Sequence, residues 1–274
     1  MIGTEDADGN LRLGVLASTN NGPDDRTETA LAAIDGRLEN HSHTFRGIWT
    51  MANQTNVVAF KLIRVAEFKE LRRETREGKF SAIYLAHYPV FQNSSPFYAA
   101  VNAKLREPCE KECASFISDL SSSETSVNCK DTEDISIACC KRDIISASVY
   151  CYEFSGGAHG MHGCYGLNFI ADNGQAKKIE LADLFLAGSG WEKKLSDYCI
   201  AELRKQQASS VVDGKVKELS PNRLTFTVLD SGLQIYFSPY EAGSYAEGFF
   251  EVDMPWSVMR NFLQMRGPIK QIVE

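Results

Sequence analysis

The sequence predicts an α+β fold: a mainly antiparallel sheet with packed helices, preceded by a small N-terminal β-meander. Three observations carry that class. Short runs of alternating apolar and polar residues recur along the chain. Many of them are joined by hairpin-type turns rather than long crossovers. Two stretches with apolar residues three or four apart, typical of helices, interrupt them irregularly. The 274 residues, 43% apolar and 24% charged, have the profile of an ordinary globular protein. That length allows one large domain or two of ordinary size.

The first strand run is Leu11–Ala17, with a turn-rich break at Asn20–Asp25. Thr44–Thr50 alternates large and small side chains, and Asn53–Asn56 separates it from Val57–Val65, a hairpin pattern. Glu67–Lys79 is dense in charge and is expected to be a solvated connector, so residues 1–75 form the meander and a second unit begins at 79. Phe80–Pro89 is a strand ended by its proline. Ser95 then caps a helix with Pro96 in the first turn. Its apolar face runs through Ala100, Val101, Leu105, Cys109, Cys113, Phe116, Ile117 and Leu120, and Pro108 should kink or restart it.

Ile135–Cys139 and Ile144–Tyr152 flank Lys141-Arg-Asp143 as a second hairpin, followed by the glycine-rich Ser155–Gly163. Cys164–Ile170 resumes as strand and ends at the turn Asp172-Asn-Gly174. A helix starts at Trp191, and residues 208–222 form a polar loop. Leu224–Leu229 and Leu233–Phe237 are strands joined by Asp230-Ser-Gly232. The loop Ser238–Gly248 leads to strand Phe249–Met254 and a closing helix from Trp256.

Composition excludes some functions. With 29 Lys+Arg against 36 Asp+Glu the net charge is −7, which argues against nucleic-acid binding because phosphates call for a basic face. No apolar run approaches the roughly 18 residues of a membrane span. The start, Met1 to Asp8, lacks the basic and apolar regions of a signal peptide. Two readings follow: a cytosolic protein, or an exported one whose export signal is not part of this chain. All eight cysteines lie between residues 109 and 199. An even, clustered number suggests local disulfides in an oxidising compartment, with no pairing assigned; buried free thiols are the alternative. Cys139 and Cys140 are neighbours in a strand and should point to opposite faces.

Two loops could carry chemistry. In Gly156-Gly-Ala-His-Gly160 the glycines let backbone N–H groups approach a ligand or form an anion-holding nest, with His159 as hydrogen-bonding group or acid/base. The same residues also suit a tight strand connection in which His159 caps or packs. His159, His162, Cys164 and Cys151 lack the spacing of a zinc set, and no Glu stands beside the histidines as in a metalloprotease helix, so no metal and no cofactor are expected. Cys164 or Cys151 with His159 would lack an orienting third group, so no catalytic residue is assigned. The second loop, within Tyr236–Gly248, holds Pro239, Tyr240, Glu241 and Tyr245. Tyrosines beside acids suit a protein-binding surface, since Tyr brings contact area at little entropic cost. Alternatively they brace the end of the sheet. His41 and His43 are expected to be solvated in a polar turn, and His87 to face one side of a strand.

In order, Gly156-Gly-Ala-His-Gly160, Tyr165-Gly-Leu-Asn-Phe169, Leu181-Ala-Asp-Leu-Phe185, Ser231–Glu241, Tyr245-Ala-Glu-Gly248 and Phe250–Pro255 form a motif series. The series resembles the bacterial extracytoplasmic domain of unknown function found in the RsiV anti-sigma factor and beside the catalytic domain of the PdaC deacetylase. Tyr88-Pro-Val-Phe91 and the following helix resemble the partner domain that precedes it. The resemblance implies an extracytoplasmic module over residues 79–274, with a partner half at 79–153 and a C-terminal half at 154–274. It also implies a non-enzymatic binding role in the periplasm, cell envelope or secreted fraction, since the anti-sigma relative binds lysozyme. The implied site residues are Gly156, Gly157, His159, Pro239, Tyr240, Glu241 and Tyr245. The expected partner is a cationic, lysozyme-like muramidase or a peptidoglycan fragment, and an envelope hydrolase or deacetylase-like enzyme using His159 is the alternative. The chain departs from the pattern in Glu241-Ala-Gly-Ser-Tyr245, where relatives carry an Ile and a Pro before the tyrosine, and in its many cysteines.

Overall fold

The computed structural model describes residues 2–5, 10–20, 26–38, 44–52, 57–77, 80–121, 127–141 and 143–273. The chain divides into two compact units, Met1–Ala66 and Glu67–Glu274. In the first, β1 (Ile2–Glu5), β2 (Asn10–Asn20), β3 (Arg26–Leu38), β4 (Thr44–Met51) and β5 (Val57–Ile63) form one five-stranded sheet in sequence order. Each strand runs antiparallel to the next, as a meander should. Gly36 and Gly47 lie beneath the rings of Phe45 and Phe60, which occupy the space a Cβ would need. The expected turns at 21–25 and 53–56, and His41 and His43, lie outside the described residues.

The second unit is α+β. A six-stranded sheet has the order β11-β10-β9-β8-β7-β6, from β6 (Ala66–Glu77), β7 (Phe80–Phe91), β8 (Cys129–Lys141), β9 (Ile144–Phe154), β10 (Met161–Asp172) and β11 (Gln175–Lys178). Between β7 and β8 the 26-residue helix α1 (Pro96–Ser121) makes the crossover that a parallel pair requires. The strands from β8 to β11 pair antiparallel. Beyond β11 come α2 (Trp191–Lys205), the short α3 (Ser209–Val212), and a three-stranded antiparallel sheet of β12 (Thr225–Val228), β13 (Gly232–Phe237) and β14 (Phe250–Pro255). The short helix α4 (Trp256–Met259) follows.

Strand alternation sorts these elements into layers. Tyr84, Asp131, Glu133 and Ile135 share one face, against which α1 packs Val101, Leu105, Cys109, Cys113 and Phe116. The opposite face, with Ser146, Ser148, Tyr150 and Asn168, receives the small sheet. Ser146 Oγ accepts from the Val228 N–H at 2.8 Å, and the Asn168 amide donates to the Phe226 carbonyl at 2.8 Å. Gly166 N–H donates to Thr225 Oγ1 at 2.7 Å, and a Cβ there would collide with the Phe226 carbonyl, so only glycine permits this approach. The small sheet turns Leu233, Ile235, Phe237, Val252 and Met254 the other way, into the main core with Leu195, Cys199 and Leu203 of α2.

Several expectations need correcting. Residues 67–77 of the charged stretch are strand β6, not a connector. An edge strand tolerates so many charges because they also discourage pairing with other chains. Pro89 does not end β7, because the ladder to β8 spans only Ala82–His87 and no β8 hydrogen bond is sacrificed beyond it. Pro108 sits inside one continuous helix, held by the buried Leu105 and Cys109 on either side. Residues 208–222 contain α3 and a 3-10 turn at Pro221–Arg223, with Ala208 and Val211 buried. The expected disulfides are not formed: all eight cysteines are free thiols. Cys139 and Cys140 do point to opposite faces. Cys139 Sγ lies 3.7 Å from Asp230 on the small-sheet side, and Cys140 Sγ 3.9 Å from the Tyr98 hydroxyl of α1.

Candidate functional site

The glycine-rich loop joins β9 to β10 by left-handed backbone, with φ of +119° at Gly156 and +91° at Gly157. Gly157 has nothing within 4 Å of a would-be Cβ, so conformation alone calls for glycine there. Gly160 is different, because the Tyr152 ring fills the space its side chain would take. His159 is exposed, and its Nδ1 lies 2.9 Å from the Gly160 carbonyl. That acceptor fixes the ring proton on Nδ1, leaving Nε2 an acceptor in the neutral ring.

The second loop closes on the first. Tyr245 donates its hydroxyl to the same Gly160 carbonyl at 2.5 Å. Its ring stacks on His159 with centroids 4.0 Å apart and on His162 at 4.9 Å. Phe249 packs against His162 at 4.7 Å and Tyr150 at 5.4 Å, while Tyr240 lies 6.0 Å from Tyr245. Six rings therefore form one contiguous patch, with Tyr240 59% and Tyr150 38% exposed. Inside it, His162 Nε2 is buried with no hydrogen-bond partner among the described residues.

The loop around Tyr240 is tightly held. Pro239 is buried, and Tyr240 has φ of +75°, a region non-glycine residues seldom occupy. The Tyr240 N–H donates to Gly243 at 3.0 Å, and the Glu241 carboxylate accepts from the Ser238 N–H at 2.6 Å. Ser238 Oγ in turn accepts from the Cys164 N–H at 3.2 Å, tying the loop to β10. Tyr245 opens a 3-10 turn capped by Ser244 and Glu247. The Glu247 carboxylate takes the N–H and hydroxyl groups of both Ser244 and Ser209, at 2.5–2.9 Å. These donors hold its carboxyl down to about 2, those of Ser209 and Ser244 contributing most.

On the same sheet face, across from Tyr150, a polar row crosses three strands. His87 Nδ1 lies 2.7 Å from Asp134 and its Nε2 3.4 Å from Glu70. The Asp134 contact raises the imidazole above its usual range, against the opposing cost of burial, and Glu70 adds to the rise.

Of the sequence-predicted residues, the structure brings His159, Tyr240 and Tyr245 into one surface. Gly156 and Gly157 shape the first loop, while Pro239 and Glu241 shape the second. Tyr150 and Phe249 were missed, and His162 was weighed only as a metal ligand. His162 lies within the glycine-rich stretch and Phe249 directly follows the second loop, whereas Tyr150 looked like any other strand residue. The Cys–His pairing does not form a reactive site. Burial pushes the Cys164 thiol up to about 12 and raises Cys151 as well, so neither supplies a thiolate. Among the described residues no group of His, Cys, Asp and Glu has an arrangement that could hold a metal ion.

Residues 80–162 match the family described as deacetylase PdaC. Residues 182–257 match the protein family of unknown function DUF3298. The fold is similar to that of a DUF3298 family protein from Pseudomonas aeruginosa PAO1, with a TM-score of 0.57 at 13% identity, covering 73% of this chain and 94% of that one. A second DUF3298 family member, from Bacteroides fragilis NCTC 9343, has a TM-score of 0.48 at 16% identity over 76% of this chain and 96% of that one. No curated protein matches the chain. A stretch similar to PdaC is thus followed by a stretch similar to DUF3298, the order of the tandem that the motif series resembles. The aromatic patch draws on both: Tyr150, His159 and His162 lie in the first segment, and Tyr240, Tyr245 and Phe249 in the second.

Proposed function

We propose that the chain is a non-enzymatic binding module of the cell envelope, and that its partner is a lysozyme-like muramidase docking on the aromatic patch. The observation that carries this reading is the patch itself. Six contiguous rings, with His159 and Tyr245 tied to the Gly160 carbonyl and the Tyr245 turn capped by Glu247, present Tyr240 and Tyr150 to solvent, and rigid exposed aromatics are the residues from which binding hot spots are built. The net charge of −7 favours a cationic partner through long-range steering. His159 fits a binding role better than an acid/base role, since its neighbours are a backbone carbonyl and a tyrosine ring rather than a carboxylate.

Titration of the protein against lysozyme by calorimetry tests the proposal. One-to-one saturation that persists at physiological salt, and weakens in Tyr240→Ala, is the expected result. Specific binding unchanged by that substitution would place the interface elsewhere. A hydrolase or deacetylase working through His159 would instead show turnover of glycan, peptide or ester substrates that His159→Ala abolishes.

A further inference from the structure

β5 is the last strand of the N-terminal sheet, and the strand order leaves one of its edges without a neighbour among the described residues. Free edges are normally blunted by charge, proline or bulges, because an open row of backbone donors and acceptors pairs with other chains. The edge strand β6 follows that rule, with eight charged side chains in twelve residues. β5 does not. Its seven residues, Val57-Val-Ala-Phe-Lys-Leu-Ile63, contain one charge and no proline. Val57, Val58, Leu62 and Ile63 are 54–61% exposed on its two faces.

The strand is also self-complementary. Outward from Phe60, Val58 matches Leu62 and Val57 matches Ile63 in apolar character, while the small Ala59 stands where Lys61 would meet it. We infer that a second copy of this chain pairs with β5, antiparallel, about a two-fold axis at Phe60. The two five-stranded sheets then become one continuous sheet. In this register Val58 faces Leu62 of the second copy and Val57 faces Ile63, so each exposed apolar side chain gains an apolar partner. Lys61 faces Ala59 rather than another Lys61, and no like charges oppose. The Phe60 ring is folded over Gly47 within its own sheet, which leaves the axis clear. Seven residues a side is far below the roughly 20–30 of a standard interface, so the dimer is weak and concentration-dependent.

Sedimentation velocity of the full chain, from low to high micromolar, tests this. The wild type shifts from monomer to dimer, and Leu62→Lys or Val58→Lys weakens the dimer about tenfold without changing the melting curve. The register is tested by a charge pair at an exposed position. Ala59→Glu, which would face Lys61 of the second copy, tightens the dimer, and Ala59→Lys loosens it. A monomer at every concentration overturns the proposal. So does growth beyond a dimer, or a dimer that responds to Ala59→Glu and Ala59→Lys in the same direction.

Discussion

Tyr240 occupies a costly backbone position. Its backbone is held at φ +75° while its ring stays 59% exposed, so the fold bears a conformational cost for a side chain that buries little of its own surface. A residue retained only for stability would be glycine there. Tyr240→Gly is therefore expected to raise stability by about 0.5–1 kcal/mol in thermal melts while weakening partner binding. Lower stability would show that the ring braces the loop instead. Glu247 behaves in the opposite sense. Its carboxyl is held down to about 2 in the folded protein against an ordinary value of 4.5. Its contribution is present above the unfolded value and is lost as pH falls toward 2. Glu247→Gln should melt lower at pH 7, and its difference from wild type should shrink in acid. A constant difference across that range would contradict the assigned role.

Among the elements, strand β8 carries the least expected chemistry. Asp131 and Glu133 are buried beneath α1, where alternation put them on the inward face. Tyr84 donates its hydroxyl to Glu133 at 2.8 Å, whereas Asp131 lies opposite Glu153 on β9. Burial, helped by Glu112, Glu133 and Glu153, pushes the Asp131 carboxyl up to about 7. A raised carboxyl makes the folded state the better proton binder, so stability falls as pH rises from the ordinary value of 3.8 through about 7. Asp131→Asn should flatten that slope and raise stability at pH 8 by on the order of 2 kcal/mol. Chemical denaturation at pH 5 and pH 8 measures it, and an unchanged slope would contradict it. Strand and turn patterns made most elements legible in the sequence, down to the opposed faces of Cys139 and Cys140. β6 was hidden because its charges imitate a linker, and sequence alone does not reveal that a charged run lies at a sheet edge. Both loops of the site were legible as well. Their convergence was not, since the Tyr245–Gly160 hydrogen bond spans 85 positions of sequence and depends on Gly166 admitting the small sheet.

For the molecule as a whole, the aromatic patch joins the PdaC-type and DUF3298 segments, so the two halves make one surface that neither would present alone. Eight buried or half-buried thiols, all with raised pKa where a shift is resolved, should react slowly with a thiol reagent until the protein is denatured. Eight equivalents should then appear, and far fewer would mean that disulfides form in the protein as isolated. Calorimetric titration of wild type and Tyr240→Ala with lysozyme at physiological salt tests directly whether the patch is a binding surface. Saturable one-to-one binding by the wild type and a loss of about 2 kcal/mol in the variant are expected. No binding by the wild type, or equal binding by both, would contradict it.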